Sequence, residues 1–580
     1  MGSLFTSRLD LNYVATDSET LEIKTLPKLP ISRLEELSTQ LQELDNQYTK
    51  LRNEQSSLLL FTSKHRALIS LIRKLPIDIL QEIFIACLPT THNAVMSRWE
   101  PPILLTQICS SWRNVAHATP QLWKSIHIAL SCHKSGSNSG EYPYFSSTLV
   151  EHIDRRSEAI LEWLSRSAAY PLDISLGQLG LVRTSSLDGL YDKIIDYLIR
   201  FSERWRDVRL SAPSEALLPV ATLPPSKFPL LETLFLNFRL SLRKRNLLAP
   251  SIWMTSGVLK APKLRDLWLH GMWQDQLIPR LSRYPYSEDV TRLPINWSQL
   301  TNISLIEGIH TGRHPSPFSV QKAYELLSLC RNLITCRLEI GITNRHIDPE
   351  GELPETTTAL ISLPFLTRLF VIENTSLSRL FSLLHLPSLN CFEFQTRFGL
   401  WPITQESSTS LLSLLTHFHN TIQLITDAQF FTRQDFIKCL RLCPLLKSLS
   451  IRKPTIYPDL MQQIPVSSVD DAFLKLFIES SNDEGYLCPH LEDFESSSDT
   501  AFSEAALLQF VKEKNGDSHT GLAKLKHLSV IFYSRPLNDI NITEELEPYK
   551  QAGLVNTITY SRTAPFFAFG GGLPGYLPTY

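Results

Sequence analysis

No apolar run in the 580-residue chain approaches the roughly 20 residues that cross a bilayer. The first residues, MGSLFTSRLDLNYVATDSE, also lack the basic stretch followed by an apolar one that marks a secretory signal. Neither sign of charge is in excess, since the formal net charge is −2. We therefore expect a cytoplasmic or nuclear globular protein without a general attraction to nucleic acid or to membranes.

The chain also lacks the residue patterns of disulfide frameworks, metal sites and common enzymes. Its nine cysteines are scattered and mostly lie in apolar segments, so buried, reduced thiols are expected. Cys439 and Cys443 form the only close pair, and no second ligand pair at matching spacing accompanies them. No nucleophile elbow, phosphate-binding loop or zinc-protease motif is present. The sequence therefore predicts no cofactor, no metal and no catalytic residues.

Residues 31–66 carry large side chains at a seven-residue spacing. One series is Leu34, Leu41, Tyr48 and Gln55, and its companion is Leu37, Leu44, Leu51 and Leu58. This is the a/d pattern of a coiled coil, and it predicts a long helix limited upstream by Pro27 and Pro30. Two uses remain open: residues 31–58 associate with a second copy, or they pack on the downstream part of their own chain.

Three segments read as connections or termini. Residues 1–30 are expected to be a flexible N-terminal segment, and residues 561–580 a C-terminal tail. Residues 131–147 (SCHKSGSNSGEYPYFSS) are rich in Ser and Gly, which favours a connector. We therefore assign 131–170 to a linker and a first helix.

Beyond the linker, a motif of the form L-x-x-L-x-L recurs, often with a proline two residues before its first leucine. The clear copies are FPLLETLFL (228–236), APKLRDLWL (261–269), WSQLTNISL (297–305), CRNLITCRL (330–338), LPFLTRLFV (363–371), LPSLNCFEF (386–394), CPLLKSLSI (443–451), CPHLEDFES (488–496) and LAKLKHLSV (522–530). Fainter copies are WRDVRL (205–210) and HNTIQL (419–424). Alternating leucines place one face of a short strand in a core, and helical patterns lie between the copies.

One strand and one helix cannot bury both of their apolar faces alone, so neighbouring repeats must stack. The expected fold is α/β: residues 171–560 resemble an irregular leucine-rich-repeat solenoid with parallel strands on its concave face. An α/β sheet with helices on both faces is the alternative. In the solenoid, the concave surface would present Thr233, Phe235, Asp266, Trp268, Ser304, Arg337, Phe370 and Glu393.

Residues 70–130 hold two apolar helical stripes. LPIDILQEIFIACLP opens with Pro76, suited to a first helical position, and its stripe contains Ile79, Leu80, Ile83 and Phe84. The second stripe consists of Leu104, Ile108, Cys109, Trp112, Val115 and Ala116. Pro120 ends it, and Leu122-Trp123 leads into a strand-like SIHI.

This segment resembles the F-box domain, particularly the F-box-like form of large fungal families. The resemblance is carried by Leu75-Pro76, Ile79-Leu80, Ile83-Phe84, Cys109-Ser-Ser-Trp112-Arg113 and Pro120-Gln-Leu122-Trp123. The heptad helix before it and the leucine-rich repeats after it are the usual neighbours of that domain. One departure is the loop 88–101, which is longer than in the shortest F-boxes.

The resemblance implies a non-enzymatic substrate receptor. Its F-box would bind the Skp adaptor of an SCF-type cullin–RING ubiquitin ligase, and its repeats would hold a protein substrate. The adaptor-binding residues would be Leu75, Pro76, Ile79, Leu80, Ile83, Phe84, Ile108, Cys109 and Trp112. Two other interpretations stay open: these residues form only a small helical core, or the chain is an interaction scaffold without a ligase, dimerising through the heptad helix.

Overall fold

The computed structural model describes residues 13–25, 28–68, 71–131, 147–179, 188–239, 252–272, 290–306, 318–341, 353–374, 376–396, 411–412, 414–416, 418, 420–427, 431–452, 469–479, 485–497, 502–516, 521–532 and 542–560. The predicted tail 561–580 and most of the predicted linker lie outside these residues. The chain divides into two units, Met1–Ile83 and Phe84–Tyr580. The boundary falls inside the segment 70–130 that resembles an F-box.

The first unit contains helices α1 (Asp17–Thr25) and α2 (Lys28–Leu68). Helix α1 lies in the segment 1–30, which we expected to be a flexible N-terminal segment. It begins as a capping box, in which Glu19 Oε2 accepts the backbone N–H of Thr16 at 2.9 Å. The predicted heptad helix 31–66 lies within the 41 residues of α2. Pro30 falls in its first turn, where a missing N–H costs no helical hydrogen bond.

Among the described residues, thirteen further helices follow. They are α3 (Ile77–Ala86), α4 (Ile103–Ile108), α5 (Ser110–His117), α6 (Ser147–Arg166), α7 (Asp188–Ile199), α8 (Ser214–Thr222), α9 (Val320–Leu329), α10 (Ser378–Ser382), α11 (Arg433–Arg441), α12 (Asp471–Lys475), α13 (Glu504–Asn515), α14 (Ile542–Glu545) and α15 (Glu547–Gln551). Helix α3 spans the boundary between the units. In the described part of the chain, no helix has the length and apolar character needed to cross a membrane.

The second unit is built on a parallel sheet of 14 strands. These are β1 (Ser125–Ser131), β2 (Leu172–Leu179), β3 (Trp205–Pro213), β4 (Thr233–Arg239), β5 (Asp266–His270), β6 (Asn302–Ile306), β7 (Thr335–Gly341), β9 (Arg368–Asn374), β11 (Cys391–Thr396), β12 (Gln423–Thr426), β13 (Ser448–Ile451), β14 (Asp493–Ser496), β15 (His527–Phe532) and β16 (Val555–Tyr560). Two short strands, β8 (Ile361–Ser362) and β10 (Leu384–His385), pair with each other in a separate sheet.

The strands of the large sheet lie side by side in chain order, without a reversal. A doubly wound sheet reverses its order at a switch point, so the alternative with helices on both faces is not supported. Connections between parallel strands are almost always right-handed, and an order that never reverses then places them on one face. All described pairs within the large sheet are parallel, as the leucine pattern predicts.

The junctions between successive strands repeat one hydrogen-bond arrangement. The carbonyl of Glu232 accepts the N–H groups of Arg265 and Asp266, at 2.9 and 3.0 Å. The same double acceptance recurs from β5 to β15, with the acceptors Arg265, Thr301, Ile334, Thr367, Asn390, Ile422, Lys447 and Glu492. Each acceptor lies just before its strand, so the L-x-x-L turn and the strand form one recurring unit.

One face of the sheet packs against helices and is apolar. The anchor leucines, such as Leu300 and Leu333, are fully buried. Towards the C-terminus, phenylalanines form the contacts between helices and sheet. The ring centroids of Phe381 in α10 and Phe392 in β11 lie 6.4 Å apart, and those of Phe510 in α13 and Phe494 in β14 lie 5.5 Å apart. The core of the second unit therefore lies between this face and the helices.

Candidate protein-binding site

Helix α3 is fixed at its start by the residues that carry the F-box resemblance. The ring of Pro76 holds the backbone near helical φ, and its carbonyl accepts the N–H of Leu80 at 3.0 Å. Asp78 lies in the first turn, where a carboxylate interacts favourably with the helix dipole. The helix therefore presents its side chains in a defined register from Ile77 onward.

The apolar stripe of α3 divides into two ridges. Leu80 and Phe84 lie one turn apart and are 5% and 0% exposed. Ile79 and Ile83 lie one turn apart on the neighbouring line and are 46% and 38% exposed. One ridge therefore belongs to the core, while the other stays open to solvent.

A single residue, Cys109, separates α4 from α5. Its backbone is extended, and its Sγ accepts the N–H of Trp112 at 3.5 Å. Cysteine thus takes the N-cap position that serine, threonine or aspartate usually occupies. The Arg113 guanidinium donates through Nε to the carbonyl of Thr106 at 2.9 Å, which ties α5 back to α4. The break leaves Ile108 56% exposed at the end of α4.

Phe84 and Trp112 join the end of α3 to α5. Their ring centroids lie 4.9 Å apart, with the planes tilted by 57°. Tilted aromatic pairs at this distance contribute about 0.5–1.5 kcal/mol beyond the area that they bury. This contact holds the Phe84 side chain against α5.

The closing Pro120–Trp123 element anchors the helices to the sheet. Trp123 is fully buried, and its Nε1 donates to the carbonyl of Ala116 at 2.8 Å. Its ring meets Trp163 of α6 edge-to-face at 4.9 Å, and the Arg166 guanidinium lies over it. Leu122 and Trp123 of this element are therefore core residues, whereas Pro120 and Gln121 are half-buried.

The loop 88–101 lies against the edge of the large sheet. Val95 pairs with His127 of β1, whose N–H donates to the carbonyl of Ala94 at 2.7 Å. Asn93 receives a hydrogen bond from Ser125 Oγ and donates one to Ser175 Oγ, at 2.9 and 3.0 Å. The extra length of this loop thus covers an edge strand that would otherwise expose unpaired backbone groups.

The nine predicted adaptor-binding residues fall into three groups. Those exposed to solvent are Pro76, Ile79, Ile83 and Ile108. Those that are half-buried are Leu75, Cys109 and Trp112. The buried ones are Leu80 and Phe84. Burial removes the last two from any surface that a partner could contact without unfolding the segment.

Two exposed side chains of this segment were not among the nine. Ile77 at the start of α3 is 65% exposed, and Trp99 in the loop is 72% exposed beneath the guanidinium of Arg98. The sequence signal for Trp99 was its position, a tryptophan among polar residues between two helices. Large exposed apolar residues of this kind mark contact sites when they cluster.

The other face of the large sheet, here called the polar face, carries a row of mixed side chains in register. The row runs through Arg209, Phe235, Trp268, Ser304, Arg337, Phe370 and Glu393. Six of the eight residues proposed for the concave surface lie in this row, and Thr233 pairs with Asp266 in the row beside it. Alternation along the strands therefore places all eight on one face.

Burial divides these eight residues. Thr233, Phe235, Ser304, Phe370 and Glu393 are buried, whereas Asp266, Trp268 and Arg337 are half-buried. The expectation of eight solvent-facing residues is therefore wrong for five of them. On the same face, His270 Nε2 and Ser304 Oγ share a hydrogen bond of 2.8 Å. Burial, helped by the charge of Arg337, lowers the pKa of His270 to about 3, so the imidazole is neutral near pH 7.

The cysteines act as core residues in the sheet. Burial raises the pKa of the Cys443 thiol to about 12 and raises that of Cys439 further, which disfavours the thiolate that zinc requires. Among the described residues, no group of three or more His, Cys, Asp or Glu side chains could hold a metal ion. Cys87 departs from the expected burial, since it lies exposed just after α3.

Comparison with known proteins adds no family assignment: neither the protein-family models nor the curated proteins give a match to this chain.

Proposed function

We propose that the chain is the substrate-recognition subunit of an SCF-type cullin–RING ubiquitin ligase, acting in the cytoplasm or nucleus. Residues 70–130 bind the Skp adaptor, and the sheet-forming part binds a protein substrate. The observation that carries this proposal is the division of α3. Phe84 is held in the core, while Ile79 and Ile83 stay exposed on a segment with the four elements of an F-box.

The size of the exposed surface sets what else the adaptor must contact. Fully burying an aliphatic side chain contributes about 1.5–3 kcal/mol. Covering the exposed fractions of Ile79, Ile83 and Ile108 would therefore contribute roughly 2–4 kcal/mol to the free energy of adaptor binding. The translational and rotational freedom lost when two proteins associate costs at least about 4 kcal/mol. The adaptor must therefore also cover Pro76 and reach the half-buried residues around Trp112.

The second part of the proposal is that the large sheet is an irregular leucine-rich-repeat solenoid. The strand order without reversal and the double acceptor that recurs before the strands of the large sheet from β4 to β14 support it. In such a solenoid the polar face is concave. Asp266, Trp268 and Arg337, which keep part of their surface accessible, are then the predicted substrate contacts.

Co-purification of the full chain with the Skp adaptor tests the adaptor site. We expect the pair Ile79→Glu and Ile83→Glu to abolish the complex, because two carboxylates would have to be desolvated in the interface. The matched control is Ile334→Glu with Leu445→Glu, two residues of the L-x-x-L-x-L segments that are 44% and 47% exposed. Phe84 is left unchanged, because substituting this buried residue would destabilise the segment, and a loss of binding would then report stability and not adaptor contact.

Wild-type chain that fails to bind the adaptor, or double-variant chain that binds as well as the control, would contradict the proposal. A competing function is a scaffold without a ligase, which pairs through α2. The exposed heptad stripe of α2 favours it. The two functions differ in a direct measurement, because only the ligase receptor binds the adaptor.

A further inference from the structure

Helix α2 exposes an apolar stripe along four heptads. Every residue from Ser32 to Arg66 is exposed in the single chain. The a and d side chains are between 41% and 67% exposed, and they are Leu34, Leu37, Leu41, Leu44, Tyr48, Leu51 and Leu58. The stripe spans about 40 Å at 1.5 Å per residue. Soluble chains cover stripes of this kind by pairing helices.

The charges along α2 are separated by sign. Residues 32–46 contain one arginine and four carboxylates, a net charge of −3. Residues 47–60, which would face residues 32–45 of an antiparallel second copy, contain Lys50, Arg52 and Glu54, a net charge of +1. A second copy lying parallel would bring like halves together. A second copy lying antiparallel brings each acidic half against a basic one.

We propose that α2 pairs with α2 of a second copy of this chain in an antiparallel two-stranded coiled coil. When Leu44 of one copy faces Tyr48 of the other, each a position between Leu34 and Leu58 lies opposite a d position of the second helix. Gln55 then faces Leu37, near the ends of the stripe. We choose a second copy as the partner because its a and d positions are in register with those of the first copy and its two halves carry opposite net charges.

Asp45 and Arg52 distinguish the two orientations. They occupy successive e positions, and in an antiparallel pair the e positions of one helix flank those of the other. Asp45 of each copy then lies near Arg52 of the other. In a parallel pair, e positions meet g positions, where Asp45 and Arg52 would face Gln40 and Gln47. Charge swaps at these two residues therefore report the orientation.

The first experiment measures the mass of the full chain in solution across a dilution series. We expect a dimer, and we expect Leu41→Asp with Leu44→Asp to give monomers. The matched control, Asn46→Asp with Asn53→Asp, adds the same charge at f positions and should stay dimeric. Thermal unfolding of each variant shows whether the fold is kept. A monomeric wild-type chain, or an unchanged Leu41→Asp/Leu44→Asp variant, would overturn the proposal.

The second experiment measures the dimer dissociation constant of the charge variants. Asp45→Arg and Arg52→Asp should each weaken the dimer roughly tenfold at low salt, because attraction becomes repulsion at two symmetric places. The double variant restores opposite charges and should return to within about threefold of the wild-type value. Single variants that leave the dissociation constant unchanged would refute the antiparallel arrangement.

Discussion

The ring of Trp112 lies 4.9 Å from the ring of Phe84, and this contact links α5 to the last turn of α3. Phe84 is fully buried, while Trp112 keeps part of its surface accessible. Adjacent residues of α3 therefore serve different purposes. Phe84 is a core residue, whereas Ile83 beside it is 38% exposed.

Phe84→Ala is expected to lower the free energy of unfolding by about 3–5 kcal/mol, the usual cost of removing a buried phenyl ring. Ile79→Ala on the same helix should cost about 1 kcal/mol or less, since Ile79 is 46% exposed. Urea unfolding followed by tryptophan fluorescence measures both. Equal losses would show that the two ridges of α3 are not distinct.

A second pair of neighbours tests the repeat unit of the sheet. Leu333 is fully buried, and Ile334, the next residue, is 44% exposed. Leu333→Ala should destabilise the chain by about 2–5 kcal/mol through the cavity that it leaves. Ile334→Ala should change the free energy of unfolding by less than about 1 kcal/mol. The same urea experiment compares them, and a reversed order would contradict the assignment of the inward face.

The strands were largely predictable because their signal is local. Alternating leucines after an L-x-x-L turn define an inward face, and each quoted copy of the motif contains or leads into a strand of the large sheet. Strands β2 and β16 were not predicted. Residues 172–179 lack the preceding leucine turn, and 555–560 contain no leucine. Their pairing with β3 and β15 supplies the missing context.

The candidate site was predictable only as a set of residues. The sequence indicates that Ile79, Leu80, Ile83 and Phe84 share one broad apolar stripe. It does not indicate which of the two ridges is buried, because the exposure of each ridge depends on the residues that pack against it. The same limit applies to the polar face, where alternation predicts a common side but not the burial of Phe235. The loop 88–101 showed no periodic pattern, so its pairing with β1 had no sequence signal.

Asn93→Ala is expected to release that loop from the sheet edge. The change removes the hydrogen bonds with Ser125 and Ser175, each contributing about 0.5–1.5 kcal/mol. Trypsin should then cleave after the exposed Arg98 roughly tenfold faster, because opening of the loop becomes easier. Limited proteolysis with mass analysis of the fragments measures the rate. Asn114→Ala, an exposed change on α5, is the control and should leave cleavage unaltered.

Lys514 of α13 gives the second unit a pH-dependent stability. Its side chain is 1% exposed, and Nζ donates to the carbonyl of Pro489 at 3.3 Å. Burial lowers the pKa of Lys514 from 10.5 to about 8, against a smaller opposing effect of Cys488. Between these two pH values the unfolded chain binds more protons than the folded chain. The free energy of unfolding should therefore rise with pH across that interval.

Lys514→Met removes this titration while keeping a long, unbranched side chain. From pH 8 to 10.5 the wild-type chain should gain about 3 kcal/mol of stability relative to the variant, and below pH 8 the difference should stay constant. Urea unfolding at several pH values measures the difference. Lys512→Met is the control, because Glu545 raises the pKa of Lys512 and its titration falls above this interval. A constant difference between wild type and Lys514→Met across the whole interval would mean that Lys514 keeps its ordinary pKa in the folded chain.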